Sequence, residues 1–425
     1  MSKLRLVFTA GMGTLFEAFD FYLFSLFALA LNYAFFGTVN KHSVLWIFII
    51  FAVGYLARIS GALIFGYWGD KIGRLYSFKK TVVIMALSSI LIGFLPTYHQ
   101  IGVLSIIFLM VLRFIQGVSY GGEESGATIV IIENFKKHQA VLVMCVALMD
   151  TVGVILAKLT YMFLSTVFNH QDMINYGWRV AYILGGILIF HSYFARKSMV
   201  ESDVFSFSKK TFPYKNTIHE MFKNYKFLLL IGVLSVAGTE LFWGVFMIYI
   251  PSYISLKYNS SEISSFIYYV ILAGKIAGCF IGAIIADKTN IRVVYSVASI
   301  ICVLLSLPLY IGLNSDILFD SYFLLLFLSI ADGCNGVLMV LQLSKCYPIK
   351  YRYTLVSCAY AVAAFLFVGL PPFLFSYFTR EDSLYYPLMI FAIVYAVQFI
   401  AVQILYSKTK KYTNSSIGQP QAILG

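Results

Sequence analysis

The chain has 425 residues, of which 60% are hydrophobic, 17% aromatic and only 12% charged, with a mean hydropathy of +0.84. Soluble domains carry about 25% charged residues, so the composition excludes a soluble globular protein and describes one that crosses a membrane repeatedly. The net charge of +12 would suggest nucleic acid in a soluble chain. Here it reads as loop lysines and arginines held on one side of a bilayer, with no nucleic-acid partner.

Apolar stretches long enough to span fall at about 6–36, 43–67, 81–96, 102–133, 139–168 and 178–195. Six more follow at about 227–256, 263–286, 292–313, 319–345, 353–378 and 383–406. The reading is an all-α polytopic membrane protein of twelve transmembrane helices in two pseudo-symmetric six-helix bundles. The first bundle covers 1–195 and the second 227–406. A polar linker joins them over 196–226, and a tail follows over 407–425. Loops on the N-terminal side hold nearly all the loop basic residues, among them Lys71, Arg74, Lys136, Lys137, Arg196, Lys345 and Arg352. The opposite side has only Lys41, Arg179, Lys257 and Arg380. Both termini are therefore expected in the cytoplasm.

The halves resemble each other. RISGALIFGYWGDK (Arg58–Lys71) aligns without gaps to KIAGCFIGAIIADK (Lys275–Lys288), matching the second span to the eighth. Such duplications typically bracket a transport site near the bilayer midplane.

A charge at the bilayer centre costs roughly 2.5–3.5 kcal/mol on insertion scales, so charges inside the spans mark function by default. They are Glu17 and Asp20 in the first span, Arg58 in the second, Arg113, Glu123 and Glu124 in the fourth, and Asp150 and, nearer the outer side, Lys158 in the fifth. In the second half they are Glu240, Lys275 and Asp332. Counting about 1.5 Å per residue puts Glu17, Arg58, Arg113, Asp150, Glu240, Lys275 and Asp332 in one layer near mid-depth, with Asp20 one turn outward of Glu17. Arg113 needs a partner from another helix, Glu17 or Asp20. Glu123 and Glu124 lie past an expected hinge at Gly121-Gly122, where they could join an inner gate around Asp70 and Arg74. The third span of each triplet has almost no ionisable residue and reads as apolar all round, facing lipid.

Gly117-Val-Ser-Tyr-Gly121 fits the G-x-S-x-G nucleophile elbow, which needs a strand, a sharp turn and a helix. Mid-helix in a membrane span, the glycines read better as close helix packing. An intramembrane serine hydrolase using Ser119 is the rival from another class. No ATP-binding motif is present, which leaves an ion gradient as the energy source, without a cofactor. The six cysteines have no metal-ligand spacing, and no metal site is expected.

GYWGDKIGR (Gly66–Arg74) resembles the loop signature between the second and third helices of the major facilitator superfamily, and RFIQG (Arg113–Gly117) its fourth-helix motif. More narrowly, GTLFEAFDFYLF, FAVGYLARISG, GGEESGA and YPIKYRYTLVSCAY resemble the metabolite:proton symporters, a group that includes proline/betaine transporters and dicarboxylate permeases. The resemblance implies that Gly66, Asp70, Gly73 and Arg74 form a cytoplasmic latch, with Glu133 a partner and Asp287 its counterpart in the second half. It implies that Arg113 couples substrate and proton. The antiporters' Gly-Pro pair is missing from LMDTVGVILAK, which favours symport. The chain departs from the group's pattern at Ile59 and Ala361, and its short tail leaves out the long coiled coil of osmosensing members.

The expected function is proton-coupled symport of a small polar metabolite, a zwitterion such as proline or glycine betaine, by alternating access in the cell inner membrane. The runner-up is a dicarboxylate or 2-oxoglutarate symporter. Glu17, Asp20 and Arg113 are the proton-coupling candidates, and Arg58, Asp150, Glu240, Lys275 and Asp332 the substrate-binding candidates. The protein is expected to be no enzyme and to work as a monomer.

Overall fold

Backbone in hydrocarbon has no water to bond, so its N–H and C=O groups must satisfy each other, and a helix does this locally. The computed structural model follows that rule. It describes residues 3–37, 41–197, 199, 201, 205–206, 217–251, 261–314, 318–378 and 384–415, and among these there is no strand. Among the described residues, twelve helices are long and apolar enough to cross a membrane, which makes this a multi-pass membrane protein. About half of the expected linker, including Lys209, Lys210 and Lys215, and the end of the tail lie outside the described residues.

The helices are α1 (Lys3–Leu26), α2 (Lys41–Lys71), α3 (Arg74–Gly93), α4 (Val103–Tyr120, resumed as Glu123–Asn134), α5 (Gln139–Val167) and α6 (Trp178–Lys197). There follow α7 (Thr217–Phe242), α8 (Ser261–Lys288), α9 (Ile291–Asn314), α10 (Leu318–Cys346), α11 (Arg352–Ala364) and α12 (Tyr385–Ser415). Wider π-helical turns extend α7 over Trp243–Tyr249 and α11 over Phe365–Gly369. The expected first span was longer than a core of about 30 Å requires. It divides at Phe27, and the outer piece, Ala28–Phe36, ends on Gly37 at φ 71, whose N–H bonds the carbonyl of Tyr33. The fourth span is interrupted at Gly121 and Gly122, where the expected hinge lies.

Contacts divide the chain into two units, Met1–Val130 with Cys145–Thr211, and Ile131–Met144 with Phe212–Gly425. The tip of α4 and the start of α5 group with the second unit for two visible reasons. The Glu133 carboxylate lies 3.8 Å from Arg352, and Asp287 accepts the N–H groups of Ala140 and Val141 at 2.9 and 3.0 Å.

Each unit repeats one close helix pair. In the first, Gly61 of α2 lies against the backbone of Val118, while Gly117 and Gly121 of α4 lie against the backbone of Gly54 and Arg58. In the second, Gly278 of α8 lies against Ile330 and Gly333 of α10, and Gly282 against Cys334. Gly61 and Gly278 stand three residues after Arg58 and Lys275, so the aligned repeat places equivalent glycines at equivalent crossings. Without side chains between them, backbones approach closely enough for dispersion to hold the helices where lipid offers no hydrophobic drive.

Two expectations need correction. The third helix of each triplet is not uniformly apolar. α9 and α12 do turn outward, with 33% and 39% of their spanning windows buried, but α3 is 56% buried. Ser77, Thr81, Ser88 and Ser89 are buried on α3, and Tyr395 and Gln398 on α12, because each is hydrogen-bonded. Thr81, Ser89 and Tyr395 donate to Glu123, Asp20 and Asp332 on neighbouring helices, Ser77 and Ser88 to backbone carbonyls, and Gln398 bonds the α7 backbone and Ser299. The loop basic residues Arg74, Arg196 and Arg352 are also buried, since each meets a carboxylate: Asp70, Glu123 and Glu133 respectively.

A side chain at Gly117 would meet the carbonyl of Gly54 and Cβ of Ala57. Gly117→Val should force α2 and α4 apart at an overpacking cost of about 1–3 kcal/mol or more, lowering the thermal unfolding midpoint of purified protein by several degrees. Gly336→Ala, whose added carbon would lie 3.8 Å from Thr239, should leave the midpoint near that of the parent.

Candidate functional site

The buried charges of the first unit form two acid–base pairs between α1 and its neighbours. Glu17 of α1 meets Arg58 of α2 at 2.8 Å, and Asp20, one turn on, meets Arg113 of α4 at 3.3 Å. All four side chains are buried. Leaving either member alone would strand a charge at a cost of about 3–5 kcal/mol.

The two carboxylates are held differently. Asp20 Oδ1 accepts from Ser89 of α3 at 2.5 Å, and Oδ2 accepts from Tyr120 of α4 at 2.6 Å as well as from Arg113. Arg113 also donates to Gln116 at 2.9 Å and to the Tyr182 hydroxyl of α6 at 3.2 Å, and Gln116 donates to Ser89 at 2.8 Å. Four helices thus close a ring of hydrogen bonds around one ion pair. Glu17 has a simpler setting: Oε1 meets Arg58, while Oε2 is buried with no hydrogen-bond partner among the described residues. A proton can therefore join Oε2 of Glu17 without displacing a donor, whereas both oxygens of Asp20 already hold donors that a carboxylic acid could not all keep.

Aromatic rings line both pairs. The Arg58 guanidinium lies 4.6 Å from the ring centres of Phe21 and Tyr55, and that of Arg113 lies 3.9 Å from Phe24. Ring faces stabilise a desolvated cation by about 2 kcal/mol or more, which offsets part of the cost of burying the two guanidinium groups.

The second unit holds a comparable pair within its spans. Lys275 of α8 donates to Asp332 of α10 at 2.6 Å, Tyr395 of α12 donates to the other oxygen of Asp332, and the ammonium lies 4.6 Å from the rings of Phe242 and Trp243. Below Asp332, Asn335 and Gln398 both donate to Ser299, at 3.3 and 3.2 Å, and the Gln398 oxygen accepts the N–H groups of Gly238 and Thr239. Glu240 is buried next to Thr239. Asp150 is half-buried on α5, the helix whose Gly153 packs on Leu15 of α1.

The residues of the expected latch form separate groups. Asp70 and Arg74 are paired and buried at the end of α2, with Gly66 buried one turn earlier. Glu201 seals this corner by accepting the N–H of Leu75 at 2.7 Å beside Gly73. Glu123 is held by Arg196 and by Thr81 at 2.6 Å, a pair distinct from Asp70 and Arg74 because Arg196 folds inward over the ring of Phe78 at 3.6 Å. Glu124 is half-buried beside it. Glu133 and Asp287 belong to the second unit, on Arg352 and on the first N–H groups of α5.

Ser89, Gln116, Tyr120, Tyr182, Tyr395, Arg196 and Glu201 do not stand out in the sequence, where only charge well inside a span does. One signal was present: Arg113, Gln116 and Tyr120 are three and four residues apart, on one helical face. Ser119, between two of them, donates to the carbonyl of Gln116 at 2.7 Å, and its flanking glycines face the α2 backbone.

Comparison with known proteins gives this arrangement a family. The family model described as Major Facilitator Superfamily matches residues 10–356. The chain is 26% identical over 397 residues to the proline/betaine transporter of Escherichia coli K12, covering 90% of this chain and 79% of that one. It is also 26% identical over 364 residues to the citrate-proton symporter of Salmonella typhi, covering 85% of this chain and 84% of that one. Among solved structures, the proton:xylose symporter XylE from E. coli shares the fold at a TM-score of 0.79 and 16% identity, over 96% of this chain and 95% of that one. With twelve spans, the loop signature at Gly66–Arg74 and a family model across most of its length, the chain belongs to the Major Facilitator Superfamily.

Proposed function

We propose that the protein is a proton-coupled symporter of a small zwitterionic metabolite of the proline or glycine betaine type, working by alternating access as a monomer. We place it in the cell inner membrane with both termini cytoplasmic. The proton gradient would be its energy source, with no cofactor and no enzymatic step. The observation that carries this reading is the pair of ion pairs on α1, in which Glu17 keeps one buried oxygen without a donor while Asp20 is held by three. Glu17 is the proton carrier, and Asp20 is the fixed counter-ion that orients Arg113. Protonation of Glu17 releases the charge of Arg58, which then attracts a substrate carboxylate; loss of that proton restores the Glu17 carboxylate, which re-pairs with Arg58 and expels the substrate. Each charge moved inward gains about 2.3 kcal/mol per 100 mV of membrane potential.

The names of the relatives support the substrate class, since proline and betaine share a carboxylate and a cationic nitrogen. The acid–base pair Lys275–Asp332 supplies both complementary charges. The relative named as a citrate-proton symporter supports a second reading, a di- or tricarboxylate held by Arg58, Arg113 and Lys275. Ser119 takes no part in either.

Purified protein in liposomes with an imposed pH gradient should accumulate proline or glycine betaine, and a protonophore should abolish accumulation. Accumulation that survives the protonophore would remove proton coupling. Preference for citrate or 2-oxoglutarate would select the second reading. Glu17→Gln should lose gradient-driven accumulation but retain counterflow exchange that no longer depends on pH, whereas Asp20→Asn should lose both. The opposite pattern would exchange the two roles. Ser119→Ala should transport within about twofold of the parent, because it removes only a hydrogen bond worth about 1 kcal/mol to its own helix.

A further inference from the structure

The second unit holds an open basin of about 540 Å³ between the α4–α5 connection and the ends of α8, α10 and α12. Lys136, Lys137 and His138 reach it from the connection, Asp287 from α8, Lys345 from α10 and Tyr406 from α12. The turn that carries the basic run has His138 at φ 56, a left-handed conformation uncommon for a residue with a side chain.

Asp287 is the one carboxylate among the lining residues, and it is committed. Each of its oxygens accepts one N–H at the start of α5, at 2.9 and 3.0 Å, so its charge is balanced by the helix N-terminus. The three lysines then set the sign of the basin. On its wall the Tyr406 hydroxyl is buried and has no hydrogen-bond partner among the described residues, and the Arg292 guanidinium lies 5.9 Å over the ring of that tyrosine. A buried hydroxyl left unbonded costs about 1–3 kcal/mol, so this one would gain by turning into the basin toward an incoming acceptor. Lysines bind phosphate as mobile point charges, and a dianion with three acceptor oxygens suits three ammonium groups and a phenol. The volume is far larger than a bare phosphate needs and lies within the range of small-molecule sites, about 300–1,000 Å³. Ala286 and Ile291 add an apolar wall for an organic part.

We propose that this basin binds a phosphate ester, its phosphate held by Lys136, Lys137 and Lys345 with the Tyr406 hydroxyl donating, and its carbon skeleton against Ala286 and Ile291. Two sources offer that chemistry: a soluble phosphorylated metabolite, or the headgroup of an anionic phospholipid. Either occupant holds the α4–α5 connection against the ends of α8, α10 and α12. This site is separate from the buried pairs on α1 and does not depend on the substrate assigned to them.

The test is the thermal unfolding of the full-length protein, compared with a Lys137→Gln/Lys345→Gln variant and with Tyr406→Phe. In neutral detergent, glycerol 3-phosphate should raise the unfolding midpoint, while sodium chloride at matched ionic strength should not. The double variant should need about tenfold more ligand for the same shift, with a smaller change of the same sign for Tyr406→Phe. If glycerol 3-phosphate has no effect but phosphatidylglycerol nanodiscs stabilise the parent over phosphatidylcholine, and the double variant loses this, the occupant is the lipid headgroup. If parent and double variant respond alike, or neither probe stabilises the parent, the proposal is overturned. Both substituted lysines are exposed, so the variants should fold with parental midpoints when no ligand is added.

Discussion

A charge in hydrocarbon must be neutralised by the fold itself, since water is absent and the penalty for a lone ion exceeds what most single contacts return. In the first unit the solution is a hub on α1: Asp20 draws α3, α4 and α6 together through Ser89, Arg113, Tyr120 and Tyr182, while Glu17 fixes α2 through Arg58. Further along the same bundle, Arg196 and Glu123 do the same for α6 and α4, with Thr81 of α3 completing the set. Removing any one of these acids would leave a cation without its counter-charge, so the pairs fix which helices can neighbour which.

Close packing makes those pairings reachable. The glycines at the α2–α4 and α8–α10 crossings bring backbones together and hold the basic residue three positions earlier at a set depth. The duplicated scaffold is then used asymmetrically. Arg58 turns to an acid on α1, whereas Lys275 turns to an acid on α10, the very helix its own glycine packs on. The repeat thus conserves geometry while the electrostatics differ between the units.

The large features were legible in the sequence because hydrocarbon enforces them. Twelve spans follow from apolar length, and the repeat from RISGALIFGYWGDK and its partner. The charged residues of the candidate site were legible for the same reason, since a charge inside a span is too costly to persist without a partner or a role. Its neutral members were not. Serine, tyrosine and glutamine occur in membrane helices for packing as well as for hydrogen bonding, so Ser89 or Tyr182 carries no mark that separates the roles. Arg196 was misleading in another way. It sits beside Lys197 at the end of a span, where basic residues normally reach water, yet it folds back to Glu123.

The pairing of Glu123 with Arg196 also has a consequence for how the chain is made. The two residues are 73 positions apart, and Asp20 and Arg113 are 93 apart. Synthesis proceeds from the N-terminus, so α1 enters the membrane long before the cation that will neutralise Asp20 exists, and α4 must wait for the last residues of α6. Spans carrying unmatched acids, at roughly 2.5–3.5 kcal/mol each on insertion scales, have to be kept in a hydrated or chaperoned setting at the insertion machinery until their partners emerge. The buried pairs of the first bundle are therefore complete only once Arg196 has been translated.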